Sequence, residues 1–165
     1  MQEADMERDD IKRDTDYSLL LEQLEALTEG ERDTIANLAN ASGALSMNLA
    51  DVNWVGFYLM REEQLVLGPF QGKPACRRIA LGKGVCGTAA ATGRTQLVED
   101  VHAFPGHIAC DGASNSEIVV PVYHEGRLVA VLDIDSPLFG RFGQRDKEGL
   151  EDCAALLGRR CNWKI

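Results

Sequence analysis

Residues 117–135 read EIVVPVYHEGRLVAVLDID, two runs rich in β-branched residues on either side of His124-Glu125-Gly126. Valine and isoleucine suit the pleated surface of a sheet, and a short polar stretch with glycine lets the chain reverse. The pattern therefore predicts an antiparallel hairpin, Glu117 to Tyr123 and Arg127 to Asp135. Alternation along the second run places Asp133 and Asp135 on one face with Val129 and Val131, and Leu128, Ala130 and Leu132 on the other. Two acids at the end of one face are either a strand emerging into solvent at Ser136-Pro137 or the lining of a pocket. Glu117, which opens the neighbouring strand, favours the pocket. A carboxyl buried among other acids has its pKa raised and can then donate a proton.

The same period of two runs from Val52, with Val55, Phe57 and Leu59 on one side and Trp54, Gly56 and Tyr58 on the other. The first side suits a core, and the second offers two aromatic rings with polar handles beside a glycine, as a pocket wall would. A turn at Arg61-Glu62-Glu63-Gln64 leads into a second strand, Leu65 to Phe70. Short strands at Arg77–Leu81 and Thr95–Glu99 flank an alanine-rich helix, Gly84 to Thr92, which Gly93 ends. Helical spacing appears in Leu20, Leu24 and Leu27, in Ile35, Leu38, Leu45 and Leu49, and along a closing helix from Gln144 to Trp163. Helices at both ends with hairpins between them give an α+β fold, a mainly antiparallel sheet with helices on one face and a ligand pocket on the other. Residues 1–16 alternate acids and bases with almost nothing to bury and read as a flexible charged arm, so the folded domain is expected over residues 17–165.

A length of 165 residues fits one domain. The net charge of −9 repels phosphate backbones and anionic lipid, so neither nucleic acid nor a membrane surface is an expected partner. The sequence has no apolar run long enough to span a bilayer and no secretion signal, which points to the cytoplasm. In that compartment five cysteines read as reduced, catalytic or metal-binding thiols rather than as a disulfide framework.

The cysteines differ in context. Cys153 and Cys161 share a helical face with Leu150 and Leu157 and read as small core residues. Cys76, Cys86 and Cys110 lie near turns or loops, where thiols can be exposed, and Cys86 stands at a helix N-terminus that would lower its pKa. Cys110 falls in the long glycine- and serine-bearing stretch from Asp100 to Ser116, where binding loops are found. A zinc site drawing on His102, His107, Cys110, Cys76 and Cys86 is the rival reading, but no C-x-x-C pair anchors it and no resident metal is expected. Residues 82–87, GKGVCG, fit a dinucleotide fingerprint. That motif needs a parallel βαβ unit, which this hairpin-rich chain lacks, so the glycines read as a tight turn.

Six blocks in order, NWVGFY at 53–58, LGPFQGKPAC at 67–76, GKGVCGT at 82–88, GHIACD at 106–111, SNSE at 114–117 and LDIDS at 132–136, resemble the free methionine-R-sulfoxide reductases, single-domain enzymes of the GAF fold. The resemblance runs from about Leu20 to the last helix. It implies reduction of free methionine-R-sulfoxide, with regeneration by thioredoxin and no other cofactor. By position Cys110 matches the attacking cysteine, Cys76 the resolving one and Cys86 a third with an accessory role. Glu117 and Asp135 match acids around the sulfoxide oxygen, Asp133 one near the ammonium group and Trp54 the ring against the S-methyl. Tyr58 is a further pocket candidate, and backbone N–H groups around Ser116 are candidates for the substrate carboxylate.

The chemistry requires these residue types together. A sulfoxide sulfur accepts a thiolate only as its oxygen gains a proton, so Cys110 and either Glu117 or Asp135 must converge on one S–O bond. The implied products are methionine and a sulfenic acid, which a second thiol converts to a disulfide. Such an enzyme would serve under oxidative stress, and the resemblance leaves a homodimer open. The contrasting reading is a non-catalytic GAF-type sensor of a small molecule or of redox state, since fold alone does not fix function.

Overall fold

The hairpin of residues 117–135 lies in the middle of the sheet. The computed structural model describes residues 14–107 and 112–165. In it β5 (Ser116–His124) and β6 (Arg127–Ser136) pair antiparallel from Ser116 opposite Ser136 to His124 opposite Arg127. Glu125 and Gly126 both take positive φ, 49° and 77°, the backbone twist that a two-residue hairpin turn requires.

The far side of β6 pairs with β1 (Trp54–Arg61), which pairs in turn with β2 (Gln64–Gln71). The short strands β3 (Arg78–Ala80) and β4 (Gln96–Val98) close the edges, so the order is β3-β2-β1-β6-β5-β4 with every neighbour antiparallel. This arrangement excludes the parallel βαβ unit of a dinucleotide site among the described residues. The turn at residues 82–87 instead uses Gly82 and Gly84 at φ 80° and 61°.

Three helices cover one face of the sheet: α1 (Tyr17–Thr28), α2 (Thr34–Asn48) and, after the sheet, α4 (Gln144–Arg160). They bury Val55, Phe57, Leu59, Ile118, Val120, Leu132 and Ile134 against Leu20, Leu24, Leu38, Leu45, Leu150 and Leu157. Asp16 caps α1 by accepting from the N–H of Leu19 at 3.1 Å, and Asp33 caps α2 through Ala36 at 2.9 Å. Asp16 thus takes part in the fold, while residues 1–13 of the expected arm lie outside the described residues. Cys153 and Cys161 are fully buried in this core.

The structure corrects three details. In α1 the buried row is Leu20, Leu24 and Thr28, which leaves Leu27 exposed. In α2 Ile35 is exposed while Asn37 and Ser42 are buried, because each finds a backbone acceptor, Glu31 and Leu38 respectively. The last helix stops at Arg160, and the chain then runs irregularly to bury Trp163.

A fourth correction concerns β6. Val122 pairs with Ala130 but Tyr123 pairs with Leu128, so Val129 is an extra residue. This bulge reverses the alternation: Val129 joins the helix-covered core, and Leu128 packs on the opposite side with Val131. Beyond the bulge the phase agrees with the sequence pattern, and Asp133 and Asp135 stay on the face away from the three helices.

That second face carries the short helix α3 (Gly84–Thr92), packed with Trp54, Tyr58, Leu65, Ile79, Val119 and Val131. Gly87 lets α3 approach, since a Cβ there would lie 2.5 Å from the carbonyl oxygen of Ala80. Among the described residues no helix is long and apolar enough to cross a membrane.

Candidate active site

Register decides which side chains meet. Trp54 pairs with Asp135, which pairs with Glu117, so these three form one row across β1, β6 and β5. The next row on the same face is Gly56, Asp133 and Val119, followed by Tyr58 beside Val131. With α3 and the loop after β2, these rows form a cleft partly open to solvent, lined also by Lys73, Ala75, Ile79, Lys83, Cys86, His107 and Ser114.

The aromatic wall is braced on both sides. Trp54 stacks on Phe70 at 5.2 Å and on Tyr58 at 6.0 Å. Gly56 makes this possible, because a Cβ there would fall 2.3 Å from Phe70 Cβ and 2.7 Å from Trp54 Cη2. Trp54 Nε1 donates to the carbonyl of Lys73 at 3.1 Å, and the Tyr58 hydroxyl donates to the carbonyl of Cys76 at 2.9 Å. Residues 73–76 are therefore tethered to the sheet by two pocket side chains.

The acids line the cleft. Glu117 and Asp133 are 7% and 6% exposed, and one donor atom from each lies within 4.8 Å of the others and of Cys86 Sγ. Burial raises the pKa of Glu117 well above the usual carboxylate range. The charges of Asp133 and Asp135 and its hydrogen bonds to them push it further the same way. Burial also raises Asp133, but hydrogen bonds from Glu117 and Cys86 oppose this. The two carboxyls therefore titrate as a pair, and Glu117 is the one pushed further toward its protonated form.

Cys86 differs from its sequence reading. It occupies the first turn of α3, as expected, yet it is buried, and its pKa is raised rather than lowered. Desolvation dominates, and Asp133, Glu117 and Asp135 all disfavour a thiolate, which outweighs the helix N-terminus. It donates a hydrogen bond to Asp133 instead.

The remaining candidates separate. Cys110 lies outside the described residues. Cys76 sits half-buried beside the aromatic wall and is not among the free thiols, which are Cys86, Cys153 and Cys161 among the described residues. Ser116 is buried with its hydroxyl on the carbonyl of Leu138, pointing away from the cleft, whereas Ser114 lines it and accepts from Asn53 Nδ2 at 3.1 Å. Of the rival zinc set, Cys110 lies outside the described residues and His102 bonds Asn115, while the donor cluster found among the described residues is Cys86, Glu117 and Asp133. Lys73 and Lys83 were not singled out from sequence, and His107 was considered only as a ligand of the rival zinc site. His107 has a lowered pKa, from burial and then the nearby His102.

The GAF domain model matches residues 23–159. The free methionine-R-sulfoxide reductase of Escherichia coli strain K12 is 54% identical over 141 residues, 86% of each chain. The chain belongs to the free methionine-R-sulfoxide reductase family of GAF domains. Among solved members of this reductase family, fRMsr of Staphylococcus aureus in its reduced form superposes with a TM-score of 0.86 at 52% identity, covering 88% of this chain and 94% of that one. The free methionine-R-sulfoxide reductase from Neisseria meningitidis, in complex with its substrate, gives 0.84 at 46% identity over 87% of each chain.

Proposed function

We propose that the chain reduces free methionine-R-sulfoxide to methionine by thiol chemistry, with Cys110 as nucleophile. The observation that carries this reading is a buried carboxyl, Glu117, beside Asp133 and in one cross-strand row with Asp135 and Trp54, where burial and the neighbouring acids raise its pKa. A sulfoxide is a weak electrophile until its oxygen is protonated, and Glu117 has the proton and the dry surroundings to supply it. Asp133 holds that proton in place as its acceptor, Asp135 adds a second polar contact to the oxygen, and Trp54 packs on the S-methyl.

In the proposed cycle the Cys110 thiolate attacks the sulfoxide sulfur while Glu117 protonates the oxygen. The attack joins the two sulfurs; the hydroxyl then migrates from the substrate sulfur to Cys110 as the S–O bond and the new S–S bond break, which releases methionine and leaves Cys110 as a sulfenic acid. The Cys76 thiol then displaces water to form a disulfide, and a thioredoxin dithiol reduces it by exchange. The electrons come from that dithiol, so the cycle needs no metal or organic cofactor. A cytoplasmic location, where thioredoxin keeps thiols reduced, suits this cycle. The alternative of a pure sensor is disfavoured by the cluster itself, since binding a ligand needs no protonated carboxyl buried against a thiol.

The deciding experiment is thioredoxin-coupled turnover of free methionine-R-sulfoxide by the wild type, Cys110→Ser and Cys76→Ser. The wild type turns over, Cys110→Ser forms no methionine, and Cys76→Ser releases one methionine per enzyme without recycling. Full activity in Cys110→Ser ends its role as nucleophile, and normal cycling in Cys76→Ser moves the resolving step to Cys86.

A further inference from the structure

We propose that Lys73, Arg77, Arg78 and Lys83 form a docking rim for an acidic protein dithiol, the class of reductant that reopens the disulfide in which Cys76 is held. The rim is first a feature of the sequence. No acid occurs between Glu63 and Glu99, and residues 64–98 carry five lysines and arginines, while the other 130 residues hold all 26 acids with only 12 Lys and Arg. A stretch of charge +5 thus sits in a chain of net charge −9. The fold presents this charge at one edge. Lys73 and Cys76 lie between β2 and β3, Arg77 and Arg78 follow where β3 begins, and Lys83 immediately precedes α3. Among the described residues no strand lies beyond β3 on that side of the sheet. All four residues are exposed, and none of them takes part in an ion pair among the described residues, although acids are in excess in the chain. Pro74 and Leu81, also exposed, supply apolar contact area between the charges.

Charge complementarity selects the partner. A free amino acid is a zwitterion without net charge, so a long-range field does not steer it, and the rim has no such task toward the substrate. An acidic protein is drawn to the rim and repelled by the rest of the chain, which orients its approach toward Cys76. In the exchange one partner thiolate attacks a sulfur of the Cys76 disulfide, the S–S bond breaks, and a mixed disulfide forms. The second partner thiol then displaces it. Two electrons and two protons pass from the dithiol to the chain, and the partner leaves as a disulfide.

The place of this step in a catalytic cycle rests on the reductase reading, but the docking does not, because the exchange needs no sulfoxide. The test is quenched-flow reduction of the oxidised full chain, without sulfoxide, by an acidic thioredoxin, a basic thioredoxin and uncharged dithiothreitol, read as free Cys76 thiol by peptide mapping. With the acidic thioredoxin the second-order rate constant is expected to fall about tenfold from low to high ionic strength, and about tenfold in Arg77→Glu/Arg78→Glu at low ionic strength. Dithiothreitol should reduce wild type and variant at the same rate at either ionic strength, which also shows that the variant is folded. Arg127→Glu/Arg159→Glu makes the same change in net charge at exposed positions beside the β5–β6 turn and near the end of α4. It should leave the rate with the acidic thioredoxin within about twofold of wild type. An equal loss in the two double variants, an equal loss with dithiothreitol, a rate independent of ionic strength, or a basic thioredoxin slowed as much by reversal of the rim each overturns the proposal. If the chain reduces no sulfoxide, these rates still decide the docking, and if the docking fails, turnover of the sulfoxide with dithiothreitol still decides the reductase reading.

Discussion

Tyr58 donates its phenolic proton to the backbone carbonyl of Cys76 at 2.9 Å, so a ring that walls the cleft also holds the loop that carries this cysteine. Removing the hydroxyl in Tyr58→Phe keeps the ring stack and deletes the tether, at a cost of about 1 kcal/mol. Stopped-flow measurement should show methionine release in the first turnover at the wild-type rate and slower disulfide formation afterwards. An equal loss in both phases would place the phenol on the substrate instead.

Glu117 sets the pH dependence. Its carboxyl is raised in the folded state above the unfolded value of about 4.3. Between those two values the native protein binds more protons than the unfolded chain, so stability falls as pH climbs from about 4 through the folded pKa. Glu117→Gln removes the penalty. The variant should melt higher than wild type at neutral pH, with a flatter dependence of Tm on pH, while losing sulfoxide reduction. Lower stability at neutral pH would contradict a protonated, costly Glu117.

Gly56→Ala tests the aromatic wall. The added methyl meets Phe70 Cβ and the Trp54 ring well inside contact distance, and overpacking of this kind costs about 1–3 kcal/mol. Thermal unfolding should show that loss, and KM for the sulfoxide should rise because Trp54 is displaced. Unchanged KM would separate the ring from substrate binding.

Cys86, buried against three acids with its pKa raised, should be inert in the native state. After brief treatment with iodoacetamide near neutral pH, peptide mapping should find Cys86, Cys153 and Cys161 unmodified, and modified once the chain is unfolded. Rapid native labelling of Cys86 would restore the reactive thiol that its place at the start of α3 suggests.

The sequence was most informative where one period rules a whole strand. The two faces of β1 and the placing of Asp133 and Asp135 opposite the core follow from alternation, because each side of the sheet buries its own set. Alternation says nothing of register, however, and it is register that aligns Trp54, Asp135 and Glu117 in one row. The bulge at Val129 leaves no mark in composition, so Leu128 and Val129 exchanged sides. For Cys86 the local signal was right and the long-range one dominated, since the three acids that act on it lie 31, 47 and 49 residues away in the chain. Ser116 was named for backbone N–H groups in its stretch, and its side chain, which bonds the carbonyl of Leu138, says nothing for or against that role.

The two clusters of the sheet are unequal. Three long helices seal one face, and the nine-residue α3 shares the other with the cleft. Folding free energy is thereby concentrated on the side remote from the chemistry, and the costly acids draw on that reserve. Mutational tolerance should follow the same division: exchanges around Trp54, Cys86 and Glu117 can reshape ligand choice in a chain that still folds, whereas the opposite face admits few.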